Sequence, residues 1–374
     1  MKKDLFYSMM ICLGLLLTSC GKDDGPDTPD VPDPPAPVLT WKDALGVYKA
    51  DGDLSLTIND LPPAVGKEAT LAAGTGENAK ITLTNIIPDM ATVEIDNVVV
   101  TKDGDDKATF EGEATVGNTT VALKGSLTGI TGSAKTLNVN VARKVNSFVT
   151  GTWKLAEAAT GGGKYVMVDV KTNNPANDVL LNQMVGPMIG GMLAQKVSDV
   201  TVVLSPDGLF DVNWTVTGAS EATGMPDFVK SLVAIQYFEE DYKLYLAIDK
   251  SAVPLLAAIP VPEGIDIEAL IGALAVDKGG FIAIPVNFAS DAWMDSASAS
   301  ASPLAVTRAD SPYPDIRFYV GKETLLPLLP VLMPLLSGGL PEGIPEYLLP
   351  LLQGLPEMVG GAEQFNVGLG FNKN

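Results

Sequence analysis

Histidine is absent from all 374 residues of the chain. This absence excludes Ser-His-Asp and Cys-His catalysis, histidine-liganded zinc, and the iron site built from two histidines and one carboxylate. Cysteine is nearly absent, because Cys12 and Cys20 are the only two and both lie near the N-terminus. A disulfide framework, a CxxC redox pair and a cysteine-rich zinc site are therefore excluded from the rest of the chain.

Positive charge is scarce as well. The chain has 25 Lys and Arg residues against 45 Asp and Glu residues, which gives a formal net charge of −20. This balance argues against binding to nucleic acid or to an anionic membrane surface. Apolar residues make up 46% of the chain, so we expect a globular protein with a buried core, and the length suffices for about two domains.

The first residues have the layout of a secretory signal peptide. Lys2 and Lys3 precede an apolar run over residues 5–17, which is too short for a membrane-spanning helix of about 20 residues. The run ends in Leu-Thr-Ser before Cys20, which resembles the lipobox of bacterial lipoproteins. The resemblance implies that residues 1–19 are a signal peptide and that Cys20 carries the acyl chains that anchor the protein to a membrane. The alternative is an ordinary signal peptide with a chance cysteine, although no later cysteine exists to pair with Cys20.

Residues 20–38 predict a tether. Lys22, Asp23 and Asp24 follow the cysteine, and this triplet resembles the surface-export signal of Bacteroidetes lipoproteins. Proline and aspartate then alternate over residues 26–37, a composition that cannot bury a core and that stays extended. We therefore expect a lipid-anchored protein of the outer membrane, displayed on the cell surface. Attachment on the periplasmic face is the alternative, if the triplet is only an acidic tether.

Short alternating apolar segments fill residues 39–146 and predict about eight antiparallel strands. The strands placed by this alternation are residues 45–49, 54–58, 81–83, 93–95, 108–113, 121–123 and 137–141. The alternation slips between Ile95 and Val98, which indicates a β-bulge. We expect an antiparallel barrel or sandwich, and an eight-stranded barrel is either filled by side chains or holds one small ligand.

Residues 147–374 form a second predicted β unit, with apolar helical segments between its strands. Its predicted strands are residues 151–156, 165–170, 200–204, 209–216, 232–238, 242–248, 281–288, 316–320 and 365–371. Its predicted helices are residues 178–196, 251–274, 322–336 and 344–358. Residues 290–314 are small and polar, so a flexible loop is expected there.

The two units open with the same motif of glycine, any residue, an aromatic residue and lysine. Gly46 and Tyr48 hold the first copy, and Gly151 and Trp153 hold the second. Such a motif at a first strand resembles the lipocalin or calycin signature, in which the aromatic plugs the closed end of the barrel. The whole pattern resembles the calycin-like β-barrel lipoproteins of Bacteroides. This resemblance implies a mainly β fold of two antiparallel, calycin-like barrels, the second with apolar helical insertions, and it supplies no ligand.

Residues 325–336 consist almost wholly of leucine, methionine and proline. Pro327, Pro330 and Pro334 share one face of the predicted helix, where each removes a backbone hydrogen bond and bends the chain. We expect the apolar helices to plug one end of the second barrel. A lid over an apolar cavity and a surface for lipid or an apolar partner are the alternatives. The residues expected to line such a plug or pocket are Leu180, Met184, Met188, Met192, Leu325, Leu329 and Met333.

Catalytic motifs are missing, because the chain lacks a P-loop and a GxGxxG sequence between a strand and a helix. We therefore predict a non-enzymatic lipoprotein of binding or structural type, with no cofactor, metal or nucleic acid. Its expected partners are the membrane, through the acyl chains, and a small apolar ligand or a surface partner. The alternative is a carboxylate-dependent hydrolase of glycan or lipid, because 45 acidic residues leave room for a catalytic carboxylate pair.

Overall fold

A computed structural model describes residues 40–61, 66–159, 162–227, 229–241, 243–258, 267–290, 314–337 and 354–374. The described residues are mainly β and belong to one compact unit, Leu39–Asn374. The predicted signal peptide and Pro/Asp tether lie outside the described residues, and so do Cys20, Lys22, Asp23 and Asp24.

The first sheet is a nearly closed barrel. Its strands are β1 (Gly46–Lys49), β2 (Leu54–Ile58), β3 (Glu68–Ala73), β4 (Ala79–Ile87), β5 (Met90–Lys102), β6 (Lys107–Val116), β7 (Thr119–Thr128) and β8 (Thr136–Val145). Buried and more exposed residues alternate along these strands, as the two-residue period of a strand requires. The predicted bulge is confirmed, because the pairing of β4 with β5 shifts register between Ile95 and Val98.

The strands of this barrel follow the order β1-β3-β4-β5-β6-β7-β8-β2. Neighbours are antiparallel except for β2 and β8, which are parallel from Leu54 opposite Leu137 to Ile58 opposite Val141. The prediction of a wholly antiparallel barrel is therefore wrong for this pair. The reason is the number of strands. The order from β1 to β8 contains seven strands that alternate in direction, and β2 runs in the same direction as β1. A barrel closed from an odd number of alternating strands must contain one parallel pair.

The second sheet is a large antiparallel sheet. Its strands are β9 (Gly151–Leu155), β10 (Val166–Lys171), β11 (Val197–Leu204), β12 (Phe210–Val216), β13 (Thr223–Gly224), β14 (Gln236–Glu240), β15 (Lys243–Asp249), β16 (Val276–Lys278), β17 (Phe281–Ala289), β18 (Ile316–Val320) and β19 (Gln364–Lys373). The main path is β13-β12-β11-β9-β19-β18-β17-β15-β14, with β10 paired to β19 and β16 to β17. A β-bridge joins Leu209 to Gln236, and Tyr237 N donates to Gly208 O at 2.8 Å. The sheet therefore curls until β14 reaches the start of β12.

Helical segments connect the strands of the second sheet. They are α1 (Pro175–Leu180), a π-helical turn (Leu181–Val185), α2 (Gly186–Lys196), a π-helical turn (Val229–Val233), a 3-10 helix (Lys250–Ala258), α3 (Ile267–Leu274), α4 (Lys322–Ser337) and α5 (Leu355–Gly361). Helical structure is present where it was expected, at residues 178–196 and 322–336. The first helix begins earlier than predicted, at Pro175, because Asn174 Oδ1 accepts a hydrogen bond from Ala176 N at 3.2 Å.

Some predicted elements differ from the structure or lie outside its described part. The strand predicted over residues 232–238 is wrong at its start, since a π-helical turn ends at Val233 and β14 begins at Gln236. Residues 259–266 and 344–353 of two predicted helices lie outside the described residues. The same holds for most of the loop predicted over residues 290–314.

The two sheets meet in a buried polar junction. The ammonium of Lys67 lies 2.5 Å from the Asp249 carboxylate and 4.2 Å from the centroid of the Phe281 ring, and Lys67 is 2% exposed. Arg143 Nη2 donates to Tyr237 O at 2.8 Å, and burial lowers the pKa of Arg143 to about 10. The cations belong to the N-terminal part of the chain and their partners to the second sheet, so buried charge crosses the predicted boundary between the units.

Candidate functional site

An apolar cavity of about 210 Å³ lies on the inner face of the second sheet. Six strands contribute to its lining. The lining residues are Val202 of β11, Phe210 of β12, Leu244 and Leu246 of β15, Val286 of β17, Phe318, Tyr319 and Val320 of β18, and Val367, Gly368, Leu369 and Phe371 of β19. Every lining residue except Tyr319 is apolar, so the cavity is suited to an apolar ligand.

The two-residue period of β19 places Val367, Leu369 and Phe371 on one face of the strand. Gly368 lies between them on the opposite face, where an added Cβ would come within 2.5 Å of Tyr319 Cβ. Tyr319 therefore packs over this glycine and presents no hydroxyl to the cavity. Several inward side chains, Leu369 among them, are only partly buried, because the cavity is open to solvent on one side.

The aromatic residue of the second copy of the motif, Trp153, is buried in the core of the second sheet. Trp153 belongs to the core cluster that includes Tyr237 and Phe371, and its Nε1 donates to Val149 O at 2.6 Å. In the first barrel, the equivalent Tyr48 is buried and donates from its hydroxyl to Ala44 O at 2.5 Å. The carbonyl that accepts lies four residues before the aromatic in both cases. The two copies of the motif therefore share a local structure as well as a sequence.

Helices cover another part of the inner face. We name as the helix cluster the buried residues Val170, Leu181, Leu329, Val359, Ala362 and Phe365. Leu329 of α4 is 5% exposed within it. Val367 packs against the helix cluster and also lines the cavity, so the cluster lies next to the cavity although no helical residue among those described lines it.

A side-chain amide attaches the first of these helical segments to the edge of β10. Asn182 Oδ1 accepts from Val170 N at 2.7 Å, and Asn182 Nδ2 donates to Val170 O at 3.0 Å. The amide thus satisfies the backbone groups that a neighbouring strand would otherwise pair. This contact fixes the π-helical turn against the sheet and protects an exposed strand edge.

The structure brings together two of the residues predicted to line a plug or pocket. Leu329 belongs to the helix cluster, and the partly buried Leu325 packs against it. Met188 and Met192 are half-buried on α2, whereas Met184 is 61% exposed. None of these five residues lines the cavity. The two remaining side chains, those of Leu180 and Met333, lie outside the described residues.

The lining residues of the cavity were not singled out from the sequence, although all of them lie in predicted strands. Alternation such as Leu244-x-Leu246 marks them as facing inwards. No pattern in the sequence shows that β11 and β18, more than a hundred residues apart, line the same cavity. That fact follows only from the pairing of the strands and from the volumes of the side chains between them.

The lining of the cavity carries no charged side chain. Tyr319 is the one titratable residue among the lining residues, and burial raises the pKa of its phenol, with the Glu323 carboxylate as a further cause. No group of three or more potential metal ligands occurs among the described residues. Among those residues, no helix is long and apolar enough to cross a bilayer.

Comparison with protein-family models, with curated proteins and with solved structures gave no match to the chain.

Proposed function

We propose that this protein is a lipid-anchored lipoprotein of the outer membrane, displayed on the cell surface, that binds a small apolar molecule inside its second sheet. The apolar cavity of about 210 Å³ supports the binding role. An engineered apolar cavity of about 150 Å³ in another protein stays dry and binds benzene, so this volume is sufficient for a small hydrocarbon. The alternative, a carboxylate-dependent hydrolase of glycan or lipid, needs a pair of acidic side chains at its site, and none of the lining residues is Asp or Glu.

The proposed fold is a tandem of two calycin-like barrels, the second carrying apolar helical insertions. The shared motif and the shared hydrogen bond of Tyr48 and Trp153 to a carbonyl four residues earlier support it. A divided first strand supports it as well. In the second sheet β9 and β10 both pair antiparallel with β19, so these two strands run in the same direction. In the first sheet β1 and β2 also run in the same direction.

Anchoring through Cys20 is tested by the Cys20→Ala variant. We expect this variant to be soluble and unacylated, whereas the unaltered protein stays with the membrane after a wash in high salt. A variant that still sediments with membranes after that wash would show that the lipid anchor is not at this residue.

The export role of Lys22, Asp23 and Asp24 is tested by their replacement with alanine. The expected result is retained lipid and lost accessibility to protease added to whole cells.

The binding role is tested by the thermal unfolding of the full chain carrying Cys20→Ala, with benzene as the probe. We expect a saturable rise in Tm, because a ligand that binds only the folded state stabilises it. Val286→Phe should abolish the rise by filling the cavity. Its matched control is Val216→Phe, because Val216 is 47% exposed at the end of β12. Equal rises in both variants, or none in the parent, would refute the proposed function.

A further inference from the structure

We infer that the first barrel clamps the second sheet closed, with Arg143 of β8 as the positioning residue. The clamp acts at the seam, which is the contact of residues 235–237 with residues 208–210 where β14 meets the start of β12. The inference concerns how the second sheet is held in its curled form, and it does not depend on what the cavity binds.

The seam has few contacts of its own. A β-bridge joins Leu209 to Gln236, and two backbone hydrogen bonds of 2.8 Å run from Phe210 N to Ile235 O and from Tyr237 N to Gly208 O. By contrast, β15 and β17 pair over the whole length of β15. Because a short pairing opens locally more easily than a long one, the seam is where the sheet should open first unless other parts of the chain support it.

A buried guanidinium from the first barrel supplies part of that support. Arg143 Nη2 donates to Tyr237 O at 2.8 Å, and Arg143 Nη1 donates to the side-chain Oε1 of Gln236 at 3.2 Å. A Cβ added at Gly208 would come within 2.5 Å of Arg143 Nη1, so glycine leaves the room that the guanidinium occupies. Arg143 therefore binds β14 on one side of the seam and packs against the backbone on the other side.

The same barrel also holds the turn that precedes β12. Val145 N, at the end of β8, donates to Pro206 O at 2.7 Å. Asn59 Nδ2, in the turn after β2, donates to Asp207 O at 2.8 Å, and Asn59 Oδ1 accepts from Arg143 N at 2.9 Å. Both sides of the seam are thus attached to one β-barrel, which keeps them from moving apart.

The surroundings of Arg143 fit a positioning role. The side chain is 3% exposed, its hydrogen-bond acceptors among the described residues are uncharged oxygens, and its Nε has no partner among them. A charge buried with so little compensation costs stability. Its contribution is geometric, because the planar guanidinium holds its donors in fixed directions, whereas a lysine ammonium does not.

The seam also borders the apolar cavity. Phe210 lines the cavity from the β12 side, and Leu244 and Leu246 line it from β15, the strand next to β14. Opening the seam would move these walls apart and widen the cavity. The first barrel is therefore coupled to the interior of the second sheet, and a partner that displaced Arg143 would change the cavity without touching it.

Amide hydrogen exchange in the full chain carrying Cys20→Ala tests the clamp, with Arg143→Met as the variant. We expect the amides of Phe210 and Tyr237 to exchange about 10- to 100-fold faster than in the parent, because two hydrogen bonds from a charged group are lost. The amides of β17 should keep their rates. Arg143→Lys should exchange at the seam as fast as Arg143→Met, since it keeps the charge but loses the planar fork. Slow exchange restored by lysine, or equal acceleration in β17, would overturn the inference.

Lys278→Met is the matched control. Lys278 also connects the two sheets, through Asp89 of the first barrel at 3.3 Å, but its ion-pair partners lie outside the seam, so the ratio of seam exchange to β17 exchange should stay that of the parent. An equal rise of that ratio in Lys278→Met would mean that any loss at the junction opens the seam and that Arg143 has no special role.

Gln236→Leu removes one acceptor of Arg143 and serves if Arg143→Met fails to fold. We expect seam exchange about tenfold faster than in the parent, and an unchanged rate would contradict the clamp. Exchange is measured without a ligand, so a failure of benzene to bind would refute the proposed function and leave the clamp standing.

Discussion

At the residue scale, the junction between the sheets depends on buried cations with few partners. Lys67 has the Asp249 carboxylate, the Phe281 ring and the backbone carbonyl of Asn85 around it. Removing one member of a buried ion pair leaves the other charge without water and without a partner. Such residues are therefore more important for stability than surface pairs of similar geometry.

Asp249→Ala should lower the free energy of unfolding by about 3–5 kcal/mol at neutral pH, because Lys67 stays buried and loses its counter-charge. The matched control is Glu94→Ala. Glu94 lies 2.7 Å from Lys80 in an exposed pair, so its loss should cost only about 0.2–1 kcal/mol. Urea unfolding measures both values. Equal costs for the two variants would mean that the junction is hydrated and that its ion pair behaves like a surface pair.

The same ion pair predicts a pH dependence. Burial holds the pKa of Lys67 below its ordinary value of 10.5, although Asp249 opposes this shift. Between the folded-state pKa and 10.5 the unfolded chain binds more protons, so stability should rise with pH in that window. Without Asp249 the pKa falls further and the window extends to lower pH. The deficit of Asp249→Ala should therefore shrink as pH increases, and a deficit independent of pH would contradict this assignment.

At the scale of elements, the helix cluster decides whether α4 is a plug or a lid. Leu329 lies in it with Val170 and Phe365 of the sheet and Val359 of α5. Leu329→Ala should cost about 2–5 kcal/mol in urea unfolding, as truncations of packed core residues do. Leu255→Ala, at a residue 40% exposed in the 3-10 helix, is the control and should cost far less. A cost below about 1 kcal/mol for Leu329→Ala would favour the lid.

Much of the strand content is predictable from alternation, and the exceptions have physical causes. β3 has the sequence Glu-Ala-Thr-Leu-Ala-Ala, in which Thr70 is the only β-branched residue and no residue is aromatic, and pairing on both sides holds it in the sheet. The strand predicted from residue 232 starts inside the π-helical turn Val229–Val233, in which Val229 and Val233 pack with Ile248. The parallel pairing of β2 with β8 and the cavity both depend on which distant strands pair with each other. The local sequence does not indicate that pairing.

At the scale of the whole molecule, the first barrel has a core of its own. All buried members of its core cluster lie between Ala44 and Val141. The junction nevertheless joins it to the second sheet through Lys67 and Arg143. The separate core favours independent folding of the first barrel, whereas the junction shared with the second sheet opposes it.

A fragment of residues 40–146 should fold alone and melt in one cooperative transition, since its core cluster is complete. In the fragment, Lys67 and Arg143 recover their hydration, so losing the junction should not prevent folding. Circular dichroism against temperature measures the transition, with the Cys20→Ala full chain as the reference. A broad, non-cooperative melt would show that the two sheets form a single folding unit.

The second sheet lines an empty apolar space, and crystallography under xenon pressure tests this central claim most directly. Dry apolar cavities bind xenon, whereas polar cavities hold ordered water. A xenon atom should appear in contact with Leu246, Val286 and Phe318, and it should be absent from Val286→Phe. Ordered water or closely packed side chains at that position in the unaltered protein would contradict the account.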